Sequence, residues 1–402
     1  MRLDLLLKRE DFSKVFSITL EKYLFNIFQW KGDIELEKGS ISSSSKYLIA
    51  NHKLNIIYPK GINRNILQIL AAEYSYHPNI FRRLVQNLYI KVSTSHAFES
   101  LFAGSVVNID PWVNYFDNVC IVPGNNSIRI IDFKKSQCVV LMKEGFNKKY
   151  FNNELLLRNN FPSLPIPKLI KVIKSNDYYV EELITGLPWN RIDDEEIKIE
   201  ALKKAKIALN ELYESSYKVI LLDEYMNHLL NSLHSAIKNL PAVYNKDDKN
   251  KFNLIIEFLK TTIGSNSEKK IQTVQSHGDF QPANIFISSN TTKNIYLIDW
   301  EYTERRSIFY DALVFSSKSR APARLANRLS DIAQNNDNST WAWCFGNNTS
   351  NLKLELWMIG VFLLEDLLVK LVELQIPDLI SHNDGLNIWE KEVRSMGWLA
   401  ND

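Results

Sequence analysis

Two short stretches of the chain hold residue types and spacings that can do chemistry. The first is "SHGDFQPANIF", residues 276–286, where Asp279 precedes Asn284 by five positions. The second is "IYLIDWE", residues 295–301, which carries Asp299 at the end of an apolar run. Residues 284–288 and 295–299 both read as short strands. A tight hairpin between them, through "SSNTTKN", would set Asn284 beside Asp299. An amide oxygen and a carboxylate side by side suit Mg²⁺, a hard cation that takes one or two carboxylates, waters and substrate phosphates. A further carboxylate five residues upstream, on a loop, could accept a proton from an alcohol.

Such groups need a scaffold, and 402 residues are enough for two or three domains or lobes. Lys and Arg number 48 against 46 Asp and Glu, a formal net charge of +2. That balance gives no field for nucleic acid or an anionic surface, so no nucleic-acid partner is expected. The three cysteines, Cys120, Cys138 and Cys344, show no metal-ligand spacing, and an odd count cannot pair fully. A reducing compartment is the economical reading. The N-terminus is too short in apolar residues for a signal peptide, and the longest apolar run, 356–364, is too short for a membrane span. A cytoplasmic protein is expected, with oligomeric state open.

Along the chain, residues 1–108 suggest helices at 11–30, 63–74 and 79–91 around one or two strands in "KYLIANHKLNIIYP". No chemistry is legible there. "SISSSSK" reads as a loop. From about 115 to 188 the runs "NVCIVPG", "SIRIIDF" and "QCVVLMK" read as strands separated by turns, followed by a helix at 148–160 and a hairpin in "LIKVIKSN" and "DYYVEELI". Residues 195–270 carry helical periodicity at 201–213, 222–240 and 249–262. The motif region comes next, and a long helix at about 352–374 closes the pattern, with Glu365, Asp366 and Lys370 expected on its wet face. A β-rich region with one helix, followed by a helical region holding one hairpin, is not a doubly wound α/β order.

The Asp-x-x-x-x-Asn spacing with a later strand-end Asp is that of the protein-kinase catalytic parts: loop Asp as base, Asn on metal, second Asp bridging metal and phosphates. His277-Gly278-Asp279, Asn284 and Ile298-Asp299-Trp300-Glu301 resemble the aminoglycoside phosphotransferase and choline kinase superfamily. Similar sequences are familiar from bacterial surface-polysaccharide gene clusters. The resemblance covers about 115–375. It implies an α+β, bilobal protein-kinase-like fold: an N-lobe at 109–188, a helical C-lobe at 189–402, and an α+β N-terminal extension at 1–108 of unassigned role. It implies ATP and Mg²⁺ as cofactors, with Asn284 and Asp299 on the metal. It further implies that Lys143, ending "CVVLMK", contacts the phosphates and pairs with Glu154, and that the backbone of Glu182, Leu183 and Ile184 meets the adenine edge. "PGNNSIR" would stand where the phosphate loop belongs, although it holds one glycine. His277 and Asp311 would order the loop without doing chemistry.

The expected reaction is transfer of the ATP γ-phosphoryl group to a hydroxyl, with Asp279 as base. The acceptor stays open among a sugar or glycan, an amino alcohol, an aminoglycoside and a protein Ser or Thr. The lack of a dense acidic cluster in the helical region argues against aminoglycosides. The competing readings are a pseudokinase that binds nucleotide or a partner without transfer, and an interaction module in 1–108. Lys143 competes with an ordinary strand-end lysine, Glu154 with a solvated helix residue. Trp341 and Trp343 suit packing better than an acceptor pocket.

Overall fold

The computed structural model describes residues 2–37, 46–71, 74, 79–173, 177–264, 268–289, 294–334, 340–346, 352–376, 379–380 and 384–397. Residues 40–45 of the expected loop, 72–73 of the expected helix at 63–74, and 290–293 of the expected hairpin turn lie outside them. The chain forms two compact units, one of Met1–Lys148 with Pro167–Leu187, the other of Lys149–Ile166 with Pro188–Asp402.

The first unit is built on β-branched runs that alternate sides. Its strands are β1 (Asp33–Glu37), β2 (Tyr47–Asn51), β3 (Ile56–Pro59), β4 (Ser105–Asp110), β5 (Val119–Pro123), β6 (Ser127–Asp132), β7 (Gln137–Met142), β8 (Leu169–Ile173) and β9 (Tyr178–Glu182). They form one nine-stranded sheet in the order β1-β4-β2-β3-β5-β6-β7-β9-β8, with antiparallel neighbours throughout. Period-2 alternation divides the side chains between two cores. Leu48, Ile57, Val107, Ile121, Ile130, Val139 and Leu141 face α1 (Leu3–Arg9) and α2 (Phe12–Phe28) through Leu6, Phe12, Phe16 and Leu20. Ile49, Tyr58, Val106 and Cys120 face the other way, toward Leu67 of α3 (Arg64–Ala71) and Ile90 of α4 (Ile80–Ser93).

The boundary expected at 108 therefore does not separate two bodies. Strands from both sides of it share one sheet and one core. Alternating apolar residues specify a strand but not its neighbour, and the long loops between these strands hide the pairing. β1, β4 and helix α1 were not legible in the sequence.

The second unit starts with α5 (Lys148–Asn160), which the sequence had placed with the strands. After β10 (Gly186–Pro188) come α6 (Glu195–Ser216), β11 (Lys218–Leu221), α7 (Leu222–Lys238), α8 (Lys246–Ile263), β12 (Lys270–Ser276), β13 (Ile285–Ser288), β14 (Ile295–Leu297), β15 (Glu304–Ser307), α9 (Tyr310–Ser317), α10 (Leu325–Gln334), α11 (Leu356–Glu373) and α12 (Asp384–Arg394). Asp194 caps α6 by accepting from Glu196 and Ile197 N–H groups, and Asn245 with Asp248 forms a capping box on α8. β12 lies between β11 and β15 in a small antiparallel sheet and delivers the chain to His277.

α11 is the centre of this unit, and its twelve buried residues cover every side of the helix. Gly360 permits its approach to α8, because a Cβ there would lie 2.7 Å from Ile263 Cγ1. The wet face expected for α11 is wrong: Glu365 and Asp366 are buried. An acid on so apolar a helix is inside because its partners are inside. Glu365 accepts from Tyr225 Oη, from the Ser307 N–H at 2.6 Å and from Ser307 Oγ at 2.6 Å. Asp366 accepts from Arg320 at 3.0 Å and from Trp389 Nε1 at 2.9 Å.

Candidate active site

The loop after β12 is held from below by one carboxylate. Asp311, at the start of α9, accepts from the His277 N–H at 2.7 Å, the Gly278 N–H at 3.0 Å and Tyr213 Oη at 2.9 Å. Two backbone donors and a phenol thus replace the water that a buried carboxylate loses. Burial and Asp311 together raise the Tyr213 phenol well above its ordinary pKa, so it stays a donor. Gly278 has φ +87°, and a Cβ there would lie 2.1 Å from the Tyr302 carbonyl oxygen. Only glycine fits.

His277 is fully buried, and burial lowers its pKa against the pull of Asp311, Asp279 and Asp299. Its Nδ1 accepts from the Asp279 N–H at 3.3 Å, which leaves Nε2 to donate to the Ile298 carbonyl at 3.1 Å. A neutral ring with its proton on Nε2 ties the loop to the end of β14. His277 and Asp311 have the ordering roles the sequence suggested.

Asp279 emerges from this frame with its carboxylate aimed by three side chains. Arg320 Nε donates to Oδ1 at 2.5 Å, while Gln281 Nε2 and Asn284 Nδ2 donate to Oδ2 at 2.8 and 2.9 Å. Asn284 Nδ2 also donates to the Asp279 carbonyl at 2.8 Å. Both bonds use the amide nitrogen and fix Oδ1 of Asn284 as its acceptor end. Pro282–Asn284 forms a 3₁₀ turn that leads into β13.

The expected hairpin is present. Ile285 faces Leu297 and Ile287 faces Ile295, and the Ile298 N–H donates to the Asn284 carbonyl at 3.0 Å. This register puts Asp299 one residue beyond the partner of Asn284. Asp299 itself is left-handed, φ +69° and ψ 53°, where the strand turns into the 3₁₀ turn Trp300–Tyr302. Among the described residues no three His, Cys, Asp or Glu side chains converge as a metal site. The donor set here is of another kind, one amide oxygen and one carboxylate.

Arg320 and Asp366 were missed by sequence reasoning. Arg320 bridges Asp279 and Asp366 and donates to the Gly278 carbonyl at 2.8 Å. Burial raises the pKa of the Glu373 carboxyl, offset by Arg320 and Lys370, with Asp279 and Asp366 adding to the rise. Asp366 is buried and paired with Arg320 and Lys370, so the acids here belong to a charge-balanced network. Gln281 lies inside the quoted motif and could have been found. The signal for Asp366 was an acid in the middle of an apolar helix. Trp341 is buried, and Trp343 stacks on Tyr213 and meets Phe280 edge-on, so both have the packing roles expected.

The nucleotide-side residues fall differently. Lys143 follows Val139 and Leu141 in parity and joins them on the face covered by α1 and α2. Its side chain has no exposed surface; Nζ donates to Glu10 Oε1 at 2.6 Å and to the Asn125 carbonyl at 2.9 Å. The rings of Phe12 and Phe146 lie 5.0 and 5.1 Å away. Glu10, in a stretch with no legible chemistry, is thus an acid that pairs with this lysine. Glu154 belongs to the other unit, where it accepts from Arg158 Nη2 at 2.5 Å. Asn125 also takes Arg9, Nη2 to its carbonyl at 3.2 Å, so "PGNNSIR" forms a short turn tied to protein cations. The Glu182 and Leu183 N–H groups donate to the Lys168 and Ser136 carbonyls, each at 3.0 Å, so an adenine edge there would meet the carbonyls of this segment or the Ile184 N–H. Ile184 follows the end of β9.

No protein-family model and no curated protein matches the chain. Among solved structures it is similar to choline kinase LicA from Streptococcus pneumoniae, 14% identical, covering 78% of this chain and 99% of that one, TM-score 0.43. It is similar to a Plasmodium vivax ethanolamine kinase, 15% identical, covering 84% and 95%, TM-score 0.44. It is also similar to aminoglycoside phosphotransferase APH(3'')-Id from Streptomyces rimosus, 13% identical, covering 62% and 92%, TM-score 0.40. At such identities and scores the chemistry has to come from the chain's own side chains.

Proposed function

We propose that this chain is an ATP- and Mg²⁺-dependent phosphotransferase acting on a hydroxyl of a small molecule or glycan, a sugar or amino alcohol. The observation that carries the reading is the lock between Asn284 Nδ2 and Asp279, at the root of the hairpin that presents Asp299. Its two bonds orient the base and leave the amide oxygen of Asn284 as the acceptor end. A carboxylate offers about four lone-pair sites, and Arg320, Gln281 and Asn284 take three. The fourth is where an acceptor hydroxyl would donate.

As the acceptor oxygen bonds the γ-phosphorus, the bond from that phosphorus to the bridging oxygen of ADP breaks, and the hydroxyl proton passes to Asp279. Phosphoryl transfer asks for positioning and charge neutralisation more than covalent help. Asn284 Oδ1 and the Asp299 carboxylate fit a hard cation in donor type, and they would hold Mg²⁺. When bound, that ion neutralises charge on the β- and γ-phosphates.

The burial of Lys143 favours a second reading, a pseudokinase or interaction protein in a biosynthetic assembly that binds nucleotide without transfer. ADP release from Mg·ATP, screened over sugar, polyol and amino-alcohol pools with and without chelator, separates the two. Acceptor-dependent, chelator-sensitive release supports transfer. Nucleotide binding with no release in any pool supports the second reading.

A further inference from the structure

The second unit holds a cavity that the phosphotransfer reading does not use. Its volume is about 550 Å³, a size that takes a small ligand. Helix α6 supplies one wall. Asn210, Tyr213 and Glu214, with Tyr217 just past the helix end, stand at three- and four-residue spacing and so share one face. Phe345, in the 3₁₀ turn Ala342–Phe345, adds a further ring, and the buried side chains of Ile308 and Cys344 add apolar surface. Asp279 is not among the lining residues. Tyr213 reaches from this wall to Asp311 through its hydroxyl, so the cavity adjoins the support of the catalytic loop and is separate from the candidate active site.

The polar groups of the lining say what would fill it. Asn210 commits Nδ2 to the Trp343 carbonyl at 3.2 Å, which leaves Oδ1 as its acceptor end. That oxygen is buried and has no protein partner. A buried acceptor left unbonded costs about 1–3 kcal/mol, so the site favours a ligand that brings a donor. Glu214 is exposed and carries no ion pair among the described residues. No Lys or Arg is among the described lining residues. Two cations nearby are engaged elsewhere: Lys206 Nζ lies 5.5 Å from the Trp343 ring centroid, and Arg305 donates to the Ser216 and Thr273 carbonyls at 2.9 and 3.1 Å. The rings of Tyr213, Tyr217 and Phe345 offer faces that attract a cation. A carboxylate, an amide oxygen in need of a donor and aromatic rings together suit an ammonium group on an apolar body. An anion would meet Glu214 without a compensating charge.

We propose that this cavity binds a small organic amine in its protonated form, with the ammonium group between Glu214 and Asn210 Oδ1 and the apolar body against Tyr213, Tyr217 and Phe345. Asn210 and Glu214 are four residues apart on one helix, near enough for one ammonium to meet both. The site is independent of the phosphotransfer reading. The test is calorimetric titration of the full chain with phenethylamine, with 2-phenylethanol as its neutral isostere and 3-phenylpropionate as an anionic one. The amine is expected to bind about tenfold tighter than the alcohol and to weaken with salt, and the anion to bind more weakly than the alcohol. Glu214→Gln should lower amine affinity about fivefold and leave the alcohol unchanged. Tyr217→Ala should lower both by about fivefold. Asp279→Asn should bind the amine as wild type does. Glu214 and Tyr217 are exposed, and far-UV circular dichroism confirms that each variant is folded.

Equal affinity for amine and alcohol, an anion that binds as tightly as the amine, or no binding at millimolar probe overturns the proposal. So does full amine affinity in Glu214→Gln. Amine binding that Asp279→Asn abolishes overturns it as well, because the amine would then occupy the acceptor site.

Discussion

Asp279 and Lys143 each stand in a buried charged network, yet the two networks are finished differently. Asp279 is bonded to Arg320, Gln281 and Asn284, keeps a lone-pair site, and is 8% exposed. Lys143 pairs with Glu10 and the Asn125 carbonyl beside two phenylalanine rings, with no surface of its own. A group that acts on a substrate has to be aimed and left reachable. A group that holds a fold can be closed on every side. On that criterion Asp279 is the group placed to act on a substrate, and the Glu10 contact of Lys143 ties the N-terminal segment to the sheet.

The largest effect is expected beneath the loop. Asp311→Ala strips the acceptor from three buried donors, at about 5 kcal/mol in urea unfolding. A loss below 1 kcal/mol would mean that the loop is not hung from Asp311. Next, Lys143→Met removes one of the two cations on Glu10, leaving Arg9 at 2.6 Å, and should cost about 3 kcal/mol, with part regained by adding Glu10→Gln. The KM for ATP of that double variant should stay within about threefold of wild type. A drop in kcat/KM of about a hundredfold would break the comparison and return Lys143 to the phosphates.

Glu365 gives a pH signature on the same scale. Burial raises its carboxyl to about 7 from an ordinary value near 4.5. The folded state therefore binds the proton more tightly than the unfolded chain, and this stability is fully present below pH 4.5 and lost as pH rises through 7. The swing is about 3 kcal/mol. The urea midpoints of Glu365→Gln should vary less over pH 5–8 than those of wild type; parallel curves would remove Glu365 as the source. The smallest effect concerns aim alone. Arg320→Lys keeps a charge but loses the fork that spans Asp279 and Asp366, so turnover should fall about tenfold with little change in unfolding. Unchanged turnover would mean that Asp279 needs no such support.

What was legible in the sequence follows from the range of each interaction. Asp279, Asn284 and Asp299 are set by a five-residue turn and a short hairpin, and local spacing carries that geometry. Most helices were also legible, because apolar periodicity is local; α6, α7 and α8 fall within a few residues of their expected spans. Glu10 is 133 residues from Lys143, and no local pattern links them. Strand parity was a usable clue, since Lys143 falls on the same side as Val139 and Leu141. The merging of 1–108 into the larger sheet was hidden for the same reason, because strand partners are chosen across long loops. Glu365 and Asp366 were misread by an amphipathic rule that fails on a helix buried on all sides.

The central claim is that Asp279 acts on an acceptor hydroxyl. Its most direct test is transfer of the labelled γ-phosphoryl group from ATP to an acceptor, in wild type and in Asp279→Asn, with ATP binding measured alongside. The expected result is a fall in turnover of about a hundredfold or more with ATP affinity held, since the general base is lost and the binding surface is kept. Wild-type turnover in pure Asp279→Asn protein would contradict it.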